Sequence, residues 1–148
     1  FGNTRNVMRH PISQKFRIKL FPNWEIIIFD KNCEMKNNFE VELLPEAQKF
    51  LNELDEKVRD KIYFNIRKSQ ITNDKEVFKK LNDTIWEFRT LYNSNSYRLF
   101  AFWDDYQNSM VLATHGILKK TQKTPKKEIE KATEIKKQYI QYKYGNKK

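Results

Sequence analysis

Apolar residues recur along this chain at alternating spacing, then at helical spacing, then at alternating spacing again. Phe39-Glu40-Val41-Glu42-Leu43 alternates apolar and acidic side chains, which predicts a half-buried strand. Pro45 suits a first helical residue and Glu46 a first turn; Ala47, Phe50, Leu51 and Leu54 then follow at helical spacing. Asp55 can cap a second helix whose apolar face is Val58, Ile62, Tyr63 and Ile66, making a helical hairpin against the sheet. Thr72-Asn73-Asp74 breaks that helix, and residues 77–81 read as a connector. Three aromatic-rich strands are predicted at residues 85–92, 97–103 and about 109–114, joined by turns at 93–96 and 104–108, with Asp104 and Asp105 as turn residues. Thr124 can cap, and Pro125 begin, a last helix carrying Ile129, Ala132, Ile135 and Tyr139, supported by the pairs Glu128 with Lys131 and Glu134 with Lys137. Residues 143–148 are expected to fray.

The pattern therefore predicts an α+β fold. A small antiparallel sheet, mixed by its N-terminal strand, carries a helical hairpin and a C-terminal basic helix. Residues 1–34 read as an N-terminal extension, and residues 35–148 as the folded domain. Within the extension, residues 15–20 and 24–29, split by Pro22-Asn23, have the composition of two short strands, and Met35 offers an alternative start.

Composition narrows the partner. A chain of 148 residues suits one domain with one modest core. The formal charge of +10 is placed unevenly: +3 over residues 1–34, −1 over 35–118, and +8 over 119–148, where 11 basic residues meet 3 acidic ones. Such a block favours an anionic partner, nucleic acid ahead of a membrane, because no strongly apolar face accompanies the charge. It could equally be a solvated lysine helix. No stretch approaches the ~20 apolar residues of a membrane span. Cys33 is the only cysteine, so no disulfide framework or cysteine zinc site is available, and a reducing cytoplasm fits. Two histidines without a spaced carboxylate cluster give no metal site.

Candidate chemistry follows from faces. Strand residues two apart share a face, so Glu87 and Arg89 point together. If the turn pairs Tyr92 with Tyr97, Leu91 lies opposite Arg98, which puts Arg98 on that face as well. Lys119 and Lys120 leave the end of the next strand, so up to four cations and one carboxylate could converge as a phosphate site. Each residue has a purely structural alternative: Arg89 with Glu87 as a surface ion pair, His115 as a strand-end histidine satisfied by backbone. Trp86, Phe88, Phe100, Phe102 and Trp103 read mainly as core. Lys79, Lys80, Lys123, Lys126 and Lys127 are candidates for holding a polyanion.

Phe39-Glu-Val-Glu-Leu-Leu-Pro-Glu-Ala, Trp86-Glu-Phe-Arg89, Tyr97-Arg98-Leu-Phe-Ala-Phe and His115-Gly-Ile-Leu-Lys-Lys-Thr-Gln-Lys-Thr-Pro125 together resemble the RelE/ParE toxin superfamily, most closely its phage-derived, HigB-like branch. The resemblance covers about residues 39–140 in the family's order. It implies a RelE-like fold and the toxin of a type II toxin–antitoxin pair. It also implies entry into the 30S ribosomal A site and cleavage of mRNA without metal or cofactor, with a helix-turn-helix antitoxin as partner. It places Arg89, Arg98 and Lys119 or Lys120 on the family's basic positions. The C-terminal catalytic tyrosine has no clear counterpart, which leaves Glu87 and His115 as candidates for proton transfer. Two other readings stay open: a ParE-like inhibitor of DNA gyrase, and a non-catalytic nucleic-acid-binding module.

Overall fold

The computed structural model describes residues 37–145. The two strands expected at 15–20 and 24–29 lie outside them. In chain order the elements are β1 (Glu40–Leu43), α1 (Pro45–Asn52), α2 (Glu56–Thr72), β2 (Phe78–Lys80), β3 (Ile85–Tyr92), β4 (Asn95–Trp103), β5 (Met110–Lys119) and α3 (Lys126–Tyr144). The five strands form one sheet ordered β1-β5-β4-β3-β2. β1 runs parallel to β5 and every other pair is antiparallel, which makes the expected α+β arrangement with a mixed sheet. No helix among the described residues is long and apolar enough to cross a membrane.

Pleat alternation gives the sheet two apolar faces, each covered by helix. On one face Val41, Phe78, Phe88, Leu99 and Val111 pack with Ala47, Leu51, Val58, Ile62 and Ile66 of the α1–α2 hairpin. Gly116 is part of this fit, since an added Cβ would collide with the Phe50 ring. On the other face Ile85, Phe100, Phe102 and Leu112 pack with Ala132, Ile129 and Tyr139 of α3. That second face is the one on which function has to be sought, because α3 covers only part of it.

Several local expectations are corrected. The connector at 77–81 contains an edge strand, β2, pairing Lys79 with Glu87. The β3–β4 turn is two residues long, with Asn93 and Ser94 both left-handed (φ 49° and 66°), so Tyr92 pairs with Asn95 rather than Tyr97. Both turn residues at positive φ suit the right-handed twist of the strands, which a longer loop would not enforce. β5 runs on to Lys119 instead of ending near 114, so His115 and Lys119 lie within a strand. Asp55 and Pro125 sit at the N-caps of α2 and α3 without a side-chain cap, so neither Asp55 nor Thr124 fills that role. Glu128 pairs with His115, and Lys131 with Glu46, across elements instead of along α3.

The C-terminal end of α3 does not fray at Lys143. Asp104, whose side chain is fully buried, accepts hydrogen bonds from Tyr139 Oη (3.2 Å), Lys143 Nζ (3.3 Å) and Tyr144 Oη (2.8 Å). Burial alone would push this carboxyl up, yet the Tyr106 amide, Tyr144 and Lys143 outweigh it and hold the pKa below the ordinary value. Asp104 thus turns the β4–β5 loop through its bond from the Tyr106 amide (2.8 Å) and also fixes the end of α3.

Candidate functional site

Beyond the rows covered by α3, the same sheet face carries charge. Arg89 pairs directly with Arg98 across β3 and β4, and Arg98 with Ile117 on β5. One row back, Lys79, Glu87, Phe100 and His115 stand in line across β2 to β5. One row forward lie Leu91, Ser96 and Lys119. The true register differs by two residues from the expected one, and a shift of two preserves the face, so Glu87, Arg89 and Arg98 do converge.

Which lysine joins them is decided by a bulge. Phe100 pairs with His115 and Ala101 with Ala113, leaving Thr114 as an extra residue on β5. The strand is thereby rephased, so His115, Ile117 and Lys119 share the face of Leu112. Without the bulge, strict alternation would send Lys119 to the face of Val111 and Ala113, and Lys120 here instead. Thr114 is fully buried, and its hydroxyl lies 3.2 Å from the Phe100 carbonyl and 3.0 Å from His115 Nδ1. Lys120 is exposed at the strand exit.

The charges are closely held. Glu87 Oε2 lies 3.4 Å from Arg98 Nε and 3.8 Å from Arg89 Nε. Glu87 is 3% and Arg98 7% exposed, while Arg89 and Lys119 are half-buried and Lys79 is open to solvent. Burial draws the Arg98 pKa below the usual arginine value, Glu87 opposes this, and Arg89 adds to it; the group remains a cation. Lys119 is lowered by burial first, then by Arg98, with Glu87 opposing and Arg89 and Lys79 adding to the fall. A lysine among cations is thereby moved toward the range in which it can give up a proton.

Support comes from the far side of the sheet. The β3 backbone at Arg89 is fixed by its own amide to the Val77 carbonyl (2.7 Å) and by Asn65 Nδ2 of α2 to its carbonyl (3.4 Å). Asn65 also donates to Thr90 Oγ1 (2.9 Å). Arg98 donates from Nη1 to the Tyr97 carbonyl (3.1 Å).

His115 is placed differently. It is 3% exposed, stacks on Phe100 at 4.9 Å, and has Glu128 Oε1 3.1 Å from Nε2. Burial lowers its pKa, against the pull of Glu128, so the ring is held neutral, with a proton on Nε2 to donate to Glu128. Nε2 joins β5 to Glu128 of α3, while Nδ1 faces the Thr114 hydroxyl within β5. Lys123, Lys126 and Lys127 are exposed on the β5–α3 connection and the start of α3, and Lys80 is exposed on β2, on the opposite pleat from Lys79. Among the described residues no group of three or more His, Cys, Asp or Glu side chains is arranged as metal ligands. What sequence patterns did not mark is the bulge at Thr114, which has no signature of its own, and the second role of the turn residue Asp104, whose α3 partners stand 35 to 40 positions away.

The chain is similar to a protein family and to several solved structures. The profile of the phage-derived Gp49-like proteins matches residues 49–137, more than half of the chain. No curated protein matches the sequence. Among solved structures, the E. coli toxin RelE in the free state, carried by an arginine-to-alanine mutant, is similar at 13% identity and a TM-score of 0.49, covering 66% of this chain and 96% of that one. The intact E. coli RelBE toxin–antitoxin complex aligns at 16% identity and a TM-score of 0.44, covering 56% and 99%. The RelBE2 toxin–antitoxin complex from Mycobacterium tuberculosis aligns at 17% and 0.39, covering 55% and 99%.

Proposed function

The chain belongs to the family of phage-derived Gp49-like proteins, and from that premise we propose that it is the toxin of a type II toxin–antitoxin pair that cuts mRNA on the ribosome. The observation that carries this reading is the convergence of Arg89, Arg98 and Lys119 around the buried Glu87 on a partly open sheet face. The motif resemblance over residues 39–140 supports it. On this reading the chain works in the cytoplasm, where it meets translating 30S subunits, and a helix-turn-helix antitoxin holds it in check.

The chemistry is transesterification. The ribose 2′-oxygen attacks the adjacent phosphorus, forming the O2′–P bond, while Glu87 takes the 2′-hydroxyl proton. Negative charge builds on the non-bridging oxygens, where the planar guanidiniums of Arg98 and Arg89 can each offer a fork of donors. The P–O5′ bond then breaks, and Lys119, with its lowered pKa, gives its proton to the leaving 5′-oxygen. The products are a 2′,3′-cyclic phosphate and a 5′-hydroxyl, and solvent returns both side chains to their starting protonation. Lys79 adds positive potential from the edge strand opposite Glu87, while Lys80, Lys120, Lys123, Lys126 and Lys127 hold RNA at a distance from the chemistry.

End-group analysis of the cut message tests the mechanism. A 2′,3′-cyclic phosphate on the upstream fragment is expected; 3′-hydroxyl and 5′-phosphate ends would rule this chemistry out.

A further inference from the structure

Glu87 is an unusual resident of a central strand. It lies on β3 with Lys79 opposite on β2, Arg89 two positions along, and Arg98 diagonally across on β4. Its Oε2 is 3.4 Å and 3.8 Å from the two guanidinium Nε atoms, longer than the 2.7–2.9 Å of a charge-assisted hydrogen bond. Its Oε1 is buried without a hydrogen-bond partner, and so is Arg98 Nε. A buried carboxylate oxygen without a donor is costly, so such atoms call for an explanation.

A phosphodiester carries one negative charge over two non-bridging oxygens, as a carboxylate does over its two. The space between Arg89 and Arg98 where Glu87 now sits is therefore the space a substrate phosphate would take. Two anions cannot share it without repulsion. We infer that in the free protein Glu87 fills the seat of the scissile phosphodiester, so that binding of the phosphate and release of the Glu87 carboxylate are a single event. This rests on the nuclease reading of the site and adds a sequence to it. A displaced carboxylate with an unsatisfied oxygen meets, as its nearest new donor, the 2′-hydroxyl beside the phosphate that displaced it. The base is thus delivered only when a phosphodiester is seated, and the free chain keeps its cations occupied.

The test uses inorganic phosphate and the full chain at low ionic strength. Phosphate binding is followed by the Arg98 Nε–H resonance and by thermal melting, in the wild type and in Glu87→Gln. Removing the competing charge should tighten phosphate binding by about tenfold, and phosphate should raise the melting temperature of the variant more than that of the wild type. A separate measurement on the wild type, the side-chain carboxyl ¹³C signal of Glu87, should move as phosphate saturates the site, which covers the case of a variant that fails to fold. Equal or weaker binding by Glu87→Gln, or a carboxyl signal that stays still while the Arg98 resonance shifts, would overturn the inference. Neither readout requires RNA cleavage. A chain that showed this exchange but cut no message would keep the seat and lose only the nuclease assignment.

Discussion

Arg89 and Arg98 are direct cross-strand partners, with Glu87 Oε2 within 3.8 and 3.4 Å of their respective Nε atoms. Like charges directly opposite one another destabilise a sheet, so Glu87 is what lets the two cations share a face. Arg98→Ala should leave that buried carboxylate with Arg89 alone, 3.8 Å away, at a cost of up to about 3 kcal/mol in urea denaturation. Arg98→Lys keeps the charge and should fold, but without the planar fork it should cut message about a hundredfold more slowly. Wild-type cutting by Arg98→Lys would remove Arg98 from the chemistry.

The bulge at Thr114 makes Lys119 and Lys120 unequal. Lys119→Ala should slow cleavage by about a hundredfold or more, because it removes the proton donor. Lys120→Ala should change the single-turnover rate by less than about threefold, within what a peripheral lysine near a phosphate supplies. The reverse ranking would mean that β5 is phased without its bulge.

Much of this site is legible in the sequence, because pleat parity survives errors that register does not. Placing Tyr92 opposite Tyr97 mistakes the turn by two residues, yet Glu87, Arg89 and Arg98 stay on one face. The error arises because Asn93-Ser94 makes a left-handed turn without the Asn-Gly or Asp-Gly signal that marks one. The core of the hairpin, from Ala47 to Ile66, follows from helical spacing alone. The bulge is not legible, since a buried threonine in an apolar strand looks like any β-branched residue. β2 is too short to show a period. Asp104 reads as a turn residue and is one, but its role in holding Tyr139, Lys143 and Tyr144 depends on long-range hydrogen bonds that local patterns do not carry.

His115 gives the fold a dependence on pH. Burial lowers its pKa in the native state, so between about pH 6.5 and the lower native value the unfolded chain binds the extra proton. Stability that is fully present above about 6.5 is then lost as pH falls toward the native value, by at most ~1.4 kcal/mol per unit. Urea denaturation at pH 7.5 and 5.5 should show this loss in the wild type and a reduced loss in His115→Gln. Because Nε2 faces Glu128 of α3 and Nδ1 faces the Thr114 hydroxyl, neither ring nitrogen is free for chemistry, and the variant should still cut within about tenfold, less than the loss expected for a general acid or base. A loss of a thousandfold would make His115 a catalytic residue.

Lys126 and Lys127 stand at the exposed start of α3. Their double change to alanine should weaken binding to the ribosome and reduce the slope of log affinity against log salt by roughly 0.7 to 0.9 for each phosphate no longer neutralised. The cleavage rate at saturating protein should hold. A fall in that rate with an unchanged salt slope would place them in the chemistry instead.

Primer extension on one mRNA, with and without programmed ribosomes, bears most directly on the central claim that the Glu87, Arg89, Arg98 and Lys119 face is a ribosome-dependent nuclease. Wild-type protein should produce discrete cuts within ribosome-bound message and none on free message, and Lys119→Ala should form them about a hundredfold or more slowly while remaining folded. Intact message under both conditions, with inhibition of DNA gyrase supercoiling in a parallel assay, would contradict it.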